Sequence, residues 1–161
     1  MDRPAASSTA TTADAPYTFH GDYTRAVDAK GRFNLPFRFR QGGSAPGEEE
    51  EYVVSKGTDG TLAVHPHAAW IATFERMRKG DPGSRLRANL RLMSIGSKKV
   101  SPDAQGRIQV SPELLASVGI KDKVTVVGMG SYMELWSPEA LDAATAHDEG
   151  PDEGFMDAFY S

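Results

Sequence analysis

The chain has 161 residues, a net charge of −4 and 39% hydrophobic residues, which suits one medium-sized domain or two small ones. It contains no cysteine, which excludes disulfides, thiol catalysis and cysteine-ligated metal sites, and which fits a reducing cytoplasm. No stretch reaches the roughly 18 apolar residues of a membrane-spanning helix, so we expect no membrane partner.

Charge is segregated along the chain. Residues 17–40 hold five Lys/Arg against two Asp, and residues 71–107 hold nine against three Asp/Glu. In contrast, residues 41–70 hold one Lys against five Asp/Glu, and residues 108–161 hold two against ten. Residues 1–16, with one Arg, two Asp and no apolar core, are predicted to be a disordered tail rather than a secretory signal. An acidic protein can thus present a basic face, although charges scattered over a solvated surface give similar counts.

An internal repeat organises the sequence. The segment Asp28–Arg32 (DAKGR) recurs as Asp103–Arg107 (DAQGR), at an offset of 75. The flanks match too, since FNLP follows the first copy, IQVSP follows the second, and LAVHP at 62–66 parallels MELWS at 133–137. We therefore predict a first module over 17–70, linking helices over 71–91, a second module over 92–141 and an acidic C-terminal tail over 142–161.

Each copy predicts a tight turn that leads into strands. The Asp of the turn accepts backbone N–H bonds, and its Gly supplies a positive φ. Apolar and polar residues alternate after the turn, which is typical of a half-buried strand that begins at the Arg. The turn-shaping residues are Asp28, Gly31, Asp103 and Gly106. Further strands are predicted over 51–55, 61–65, 123–128 and 132–136, joined in pairs by glycine-containing hairpin turns.

Helices are few and have clear start signals. Ser111 and Ser137 each precede Pro and Glu, which predicts two N-capped helices, and Gly119 closes the first. Between the modules, apolar residues at helical spacing predict a helical hairpin whose stripe packs into the core. The stripe consists of Trp70, Phe74, Met77, Leu86, Leu90 and Met93.

A module of about 50 residues buries little surface alone, so each copy needs a partner, and the other copy is the obvious one. Two intertwined copies bury each other's strand faces and place the two turns about a pseudo-twofold axis. Such symmetry suits duplex DNA.

The quoted turns, together with FHGDY at 19–23 and YMELW at 132–136, resemble the MraZ family of bacterial transcriptional regulators over about residues 17–145. The resemblance implies an α+β, mainly β fold: a duplicated AbrB-like (SpoVT-AbrB) swapped-hairpin, double-split β-barrel with linking helices. It also implies a cytoplasmic, nucleoid-associated, sequence-specific DNA-binding regulator, expected to repress its own division and cell-wall gene cluster. The implied partners are double-stranded promoter DNA carrying repeated boxes and further copies of the chain in a ring-like homo-oligomer, with no cofactor.

The same resemblance assigns DNA-contacting residues. Arginine suits this role because its planar fork donates two bonds to guanine or clamps a phosphate. Lys30 favours phosphate, whereas Gln105 at the matching position is able to read a base edge. The candidates are Arg32 and Arg107 foremost, then Lys30 and Gln105, and lastly Arg25 and Arg40, which flank the first turn.

Two features of the sequence argue against a DNA-binding role. The acidic insertion over 42–51 (GGSAPGEEEE) would repel DNA if it lay near the binding face. The tail over 142–161 carries aromatic residues among acids, so an AbrB-like antitoxin or a protein-interaction module without specific DNA readout is the alternative. An antitoxin needs one module per chain, however, and the duplication therefore favours the regulator.

Enzyme interpretations find little support. The four His residues make no metal-ligand spacing with nearby acids, and no nucleophile elbow or phosphate-binding loop is present. Asp28 and Asp103 each have an Arg four residues on and a turn to shape, which explains both acids without catalysis. We expect no catalytic residue and no metal site.

Overall fold

The computed structural model of the chain describes residues 19–40, 49–80 and 83–161, so the predicted tail over 1–16 and most of the acidic insertion lie outside the described residues. The strands are β1 (Asp22–Ala26), β2 (Arg32–Asn34), β3 (Tyr52–Lys56), β4 (Leu62–Pro66), β5 (Lys98–Val100), β6 (Arg107–Gln109), β7 (Lys123–Gly128) and β8 (Met133–Trp136). The helices are α1 (Phe37–Arg40), α2 (His67–Gly80), α3 (Ser84–Ile95), α4 (Pro112–Ser117), α5 (Pro138–Thr145) and α6 (Glu153–Phe159).

The predicted strands agree with β3, β4, β7 and β8 to within one residue. The predicted helix starts are confirmed as well, because the Ser111 hydroxyl accepts a bond from the Leu114 N–H at 3.1 Å. The Ser137 hydroxyl accepts one from the Ala140 N–H at 3.0 Å. Gly119, with φ +78°, follows the end of α4 as expected of a helix-terminating glycine.

Six strands form one antiparallel sheet in the order β1-β7-β8-β4-β3-β5, while β2 and β6 pair separately. The counterparts in the two halves are β1 and β5, β3 and β7, and β4 and β8. Exchanging each strand for its counterpart gives the same strand order in the reverse direction. The pairing of the two central strands, β4 and β8, is symmetric in the same way. Leu62 lies opposite Leu135 and Val64 lies opposite Met133, one residue to either side of the pair Ala63–Glu134. The two halves are therefore interleaved about a pseudo-twofold axis, as the repeat predicts.

The architecture is α+β with a mainly antiparallel sheet, in agreement with the coarse prediction. Within the described residues the six-stranded sheet is open, because β1 and β5 each pair on one side and form its two edges. The closed double-split barrel is thus not confirmed, and the module boundaries stay a prediction.

The core lies where the two halves meet. Phe33 and Ile108 face each other across β2 and β6 and are 1% and 0% exposed. Their neighbours in the buried cluster come from both halves, and include Phe39, Val54, Leu62, Leu115, Val126 and Leu135. Burial of both repeats in one cluster explains why a module this small is stable here.

The helical hairpin is present, but the prediction that its apolar stripe packs into the core is wrong for the single chain. No described residue of α2 or α3 is buried. Met77 is 47% exposed and Met93 is 41% exposed, while Trp70 stacks on Phe74 at 5.1 Å between ring centroids. Helix α2 packs on α3, β3 and β4, and these contacts cover only part of the stripe. Helical spacing predicts an apolar face correctly but does not say what covers it.

Candidate nucleic-acid interface

The first repeat turn is built around the carboxylate of Asp28. Its Oδ1 atom accepts the backbone N–H groups of Lys30 and Arg32, both at 2.9 Å. Its Oδ2 atom accepts the Nε–H of Arg32 at 2.7 Å. One acid therefore shapes the turn and also fixes the arginine side chain, whose outer NH₂ groups extend beyond this bond.

The second turn repeats this arrangement. Asp103 Oδ1 accepts the N–H groups of Gln105 at 2.8 Å and Arg107 at 3.0 Å. Asp103 Oδ2 accepts from Arg107 Nε at 3.0 Å and also lies 3.0 Å from Arg107 Nη2. The duplicated sequence thus produces a duplicated geometry, in which the Arg107 side chain is slightly less exposed than that of Arg32, 29% against 34%.

Each turn depends on a glycine with positive φ, as predicted. Gly31 has φ +83° and Gly106 has φ +81°, and each donates its N–H to the carbonyl of the turn's Asp, at 3.0 Å and 2.9 Å. The other half also approaches each glycine closely. A Cβ atom at Gly31 would overlap the carbonyl oxygen of Val110, whereas one at Gly106 would lie 2.7 Å from Arg40 Nη1.

The ladder of β2 and β6 brings the two turns together. Arg32 lies opposite Gln109, and Asn34 lies opposite Arg107. These four residues share one face, because side chains alternate along a strand, and the opposite face carries the buried pair of the core. Diagonal neighbours on such a ladder are about 7 to 8 Å apart, so the two arginines form one cluster.

Two amides that sequence reasoning treated as ordinary polar strand positions tie each strand to the opposite turn. Asn34 Nδ2 donates to the carbonyl of Gln105 at 2.9 Å. Gln109 Nε2 donates to the carbonyl of Lys30 at 3.1 Å. The signal was present in the sequence, because Asn34 and Gln109 are equivalent under the same offset of 75 and both carry a carboxamide.

The local bonds change the acidity of both turn carboxyls. The backbone N–H of Arg32, foremost among several donors, lowers the pKa of Asp28 to about 2. The backbone N–H of Arg107 lowers the pKa of Asp103 in the same way. Both acids are therefore ionised at neutral pH and hold their arginines as charge-assisted pairs.

The remaining candidates separate from this cluster. Lys30 and Gln105 are exposed at the turn tips, beside the two arginines. Arg40 instead forms an ion pair with Glu50, with 3.0 Å between Nη2 and Oε1. Its side chain packs against Gly106 of the second turn. Arg25 lies on β1 in the large sheet, with Nη1 donating to the Thr24 carbonyl at 3.1 Å. The geometry thus favours four of the six candidates as one exposed group.

The described end of the acidic insertion is largely paired. In addition to its ion pair with Arg40, Glu50 accepts a hydrogen bond from the Tyr52 hydroxyl at 2.7 Å. Glu51 lies 3.3 Å from Lys99 Nζ and 3.7 Å from His67 Nδ1. These pairs reduce the repulsion that the sequence led us to expect from this segment, while residues 41–48 lie outside the described part of the chain.

Across 19–40, 49–80 and 83–161, no three His, Asp or Glu side chains come together as a metal site. No helix in these ranges has the length and apolar character needed to cross a membrane.

Comparison with known proteins gives one consistent result. A family model described as "MraZ protein, putative antitoxin-like" matches residues 93–153. A "Transcriptional regulator MraZ" from Thermomicrobium roseum is 37% identical over 138 residues, covering 83% of this chain and 92% of the relative. Proteins of the same name from Corynebacterium kroppenstedtii and Clostridium acetobutylicum are 33% and 32% identical, covering 86% and 75% of this chain and 98% and 82% of theirs. The chain therefore belongs to the MraZ family of transcriptional regulators.

Proposed function

We propose that this regulator binds specific DNA sequences through the face formed by Arg32, Asn34, Arg107 and Gln109, with Lys30 and Gln105 at its rim. The observation that carries the proposal is the pair of identically built turns, each holding an arginine with a buried strand pair behind it. The major groove admits a two-stranded β-ribbon, and β2 with β6 is such a ribbon. The strand positions that carry the two arginines are about 7 to 8 Å apart on the diagonal, which is about two base steps of 3.4 Å.

The two acids act as positioning residues in this proposal. Each Asp binds the Nε side of its arginine, and Asp103 also contacts Nη2 of Arg107. The N–H groups that face away from the Asp remain for guanine O6 and N7 or for a phosphate. Holding the guanidinium in advance reduces the side-chain entropy that is lost when DNA binds. The difference between Lys30 and Gln105 makes the two half-sites unequal, so the bound sequence is an imperfect palindrome.

The wider assignment follows the family resemblance. We infer that the chain represses its own division and cell-wall gene cluster by binding repeated promoter boxes, and that it does so as a nucleoid-associated, ring-like homo-oligomer in the cytoplasm. The interleaved halves support a swapped-hairpin double-split barrel as the full architecture. Several modest contacts then add as avidity over repeated boxes.

The test is fluorescence anisotropy of the full chain with DNA from upstream of its own gene and with scrambled DNA, at two salt concentrations. Arg32→Ala is expected to lose about 1 to 3 kcal/mol of specific binding per module, because one bidentate contact disappears. Arg38→Ala, which removes the same charge from an exposed position on α1, is the matched control. It is expected to weaken both DNAs alike, through charge alone.

Two results contradict the proposal. Equal losses on specific and scrambled DNA in Arg32→Ala exclude base reading by this residue. A folded wild-type chain that binds neither DNA excludes the DNA-binding role and favours the protein-interaction alternative.

A further inference from the structure

An apolar cleft of about 530 Å³ lies beside edge strand β5. Its apolar lining comes from β3, the end of α3, β5, the residue after β6 and the start of α4, and consists of Val54, Ile95, Val100, Val110, Pro112 and Leu114. Ile95 is 72% exposed, which is unusual for a large aliphatic side chain in an otherwise apolar wall. Lys98 and Lys99 add positive charge to the lining.

The other half of the molecule has aromatic rings at the positions that correspond in the repeat. Tyr23 and Phe19 pack edge-on against Phe39, at 5.3 Å and 5.4 Å between ring centroids. The repeat offset of 75 aligns Lys98 with Tyr23 and Ser94 with Phe19. The cleft therefore lies beside strand β5, where the repeat supplies no ring of its own.

The C-terminal segment over 146–161 has the complementary chemistry. It carries five Asp/Glu and no Lys or Arg. Helix α6, capped by the Asp152 carboxylate at 2.8 Å from the Phe155 N–H, holds an aromatic cluster. Phe155, Phe159 and Tyr160 are 53%, 68% and 77% exposed, and they contact one another at 5.8 Å and 5.3 Å between neighbouring centroids. An exposed apolar cluster with a polar rim marks a surface that binds a partner.

We propose that the C-terminal segment of one copy docks into the β5 cleft of a second copy. The rings of Phe155 and Phe159 fill the apolar wall, and the acids around them face Lys98. The occupant is a second copy because none of the cleft's lining residues comes from 138–161 of the same chain. Lys98 suits the role better than Lys99, which already pairs with Glu51.

Such a contact is heterologous, since a tail meets a different surface on the next copy, and repetition of a heterologous contact generates rings or filaments. The proposal thus deepens the proposed homo-oligomer and rests on it for its occupant. The cleft adjoins the proposed DNA-reading face, because Gln109 lies at the edge of both, so its test is made without DNA.

The experiment uses full chains without DNA. The tail variant Phe155→Ser/Phe159→Ser and the cleft variant Ile95→Asp change exposed positions, so both are expected to fold. Sedimentation velocity at fixed protomer concentration is expected to show smaller species for each variant than for the wild type. Mixing the two is expected to give a one-to-one dimer, because the mixture retains one intact tail facing one intact cleft. Leu92→Asp, on the same helix, 69% exposed and outside the cleft, is the matched control and leaves assembly unchanged.

A labelled peptide of residues 146–161 gives a direct measurement on the tail variant, whose cleft is intact. Anisotropy is expected to show binding that weakens at least tenfold when Ile95→Asp is added. Unchanged assembly in both variants, or peptide binding that ignores Ile95→Asp, overturns the docking proposal. A wild-type chain that is monomeric while the peptide binds also overturns it, since the segment then serves its own chain. Because no DNA is present, loss of specific binding in Arg32→Ala leaves these outcomes unaffected and tests the proposed function separately.

Discussion

At the scale of single residues, the turns show how few positions define the site. Asp28 has a polar partner for each carboxylate oxygen, so it shapes the backbone and directs the arginine with one side chain. The sequence was sufficient to predict this role, because all partners of Asp28 lie within the next four residues of the chain. A turn Asp accepts backbone N–H groups at such short separations. It was not sufficient to place Arg40, whose partner Glu50 lies ten residues away across a segment of irregular composition.

The two turn glycines are not equivalent, and this difference is testable. Gly31→Ala and Gly106→Ala both place a Cβ at positive φ, which costs about 1 to 2 kcal/mol. Gly31→Ala also meets the backbone oxygen of Val110, whereas Gly106→Ala meets the flexible end of Arg40. We expect Gly31→Ala to lose about 1 to 3 kcal/mol more of the free energy of unfolding, because backbone must move.

Urea unfolding of both variants at one protomer concentration measures this difference. Equal losses would show that the close approach of Val110 relaxes without cost.

The lowered pKa of Asp28 predicts a pH dependence of stability. Its folded pKa of about 2 lies below the ordinary value of 3.8, so the ionised form stabilises the fold above about pH 4. This contribution is lost as the pH falls from about 4 towards 2. We therefore expect Asp28→Asn to be less stable than the wild type at pH 6, with the difference shrinking towards pH 2.

Asp142→Asn, which removes an exposed acid on α5, controls for the loss of one negative charge. Urea unfolding across this pH range gives the comparison. A stability difference that stays constant from pH 6 to pH 2 would contradict the assigned role of the carboxylate.

At the scale of elements, the strand of one half supports the turn of the other. Asn34→Ala removes the bond to the Gln105 carbonyl, and Gln109→Ala removes the bond to the Lys30 carbonyl. Each bond contributes about 0.5 to 1.5 kcal/mol, so neither variant should unfold the chain. We expect faster amide hydrogen exchange over 103–107 in Asn34→Ala and over 28–32 in Gln109→Ala.

The two variants serve as controls for each other. Amide hydrogen exchange should stay unchanged over 28–32 in Asn34→Ala and over 103–107 in Gln109→Ala. Faster exchange in the turn of the substituted half would indicate local fraying of the strand instead of support across the ladder.

At the scale of the whole molecule, the repeat predicted more than any single element did. The repeat predicted the two turns, at an offset of 75, the matching hairpins and the interleaving of the halves, because each copy is too small to bury its own strand faces. The helical hairpin shows where such prediction ends. Helical spacing places Trp70 and Phe74 on one face, but the extent of their burial depends on the strands and the helix that pack beside them, which lie outside the repeated turns.

Because β2 and β6 belong to one polypeptide, their pairing does not depend on the protein concentration. A symmetric site made by two separate chains falls apart when the protein is diluted, and each substitution appears twice in it. Here both turns stay together at any dilution, because the covalent link makes their pairing intramolecular. Each turn is also free to change alone, so the two halves of the paired ribbon need not remain alike.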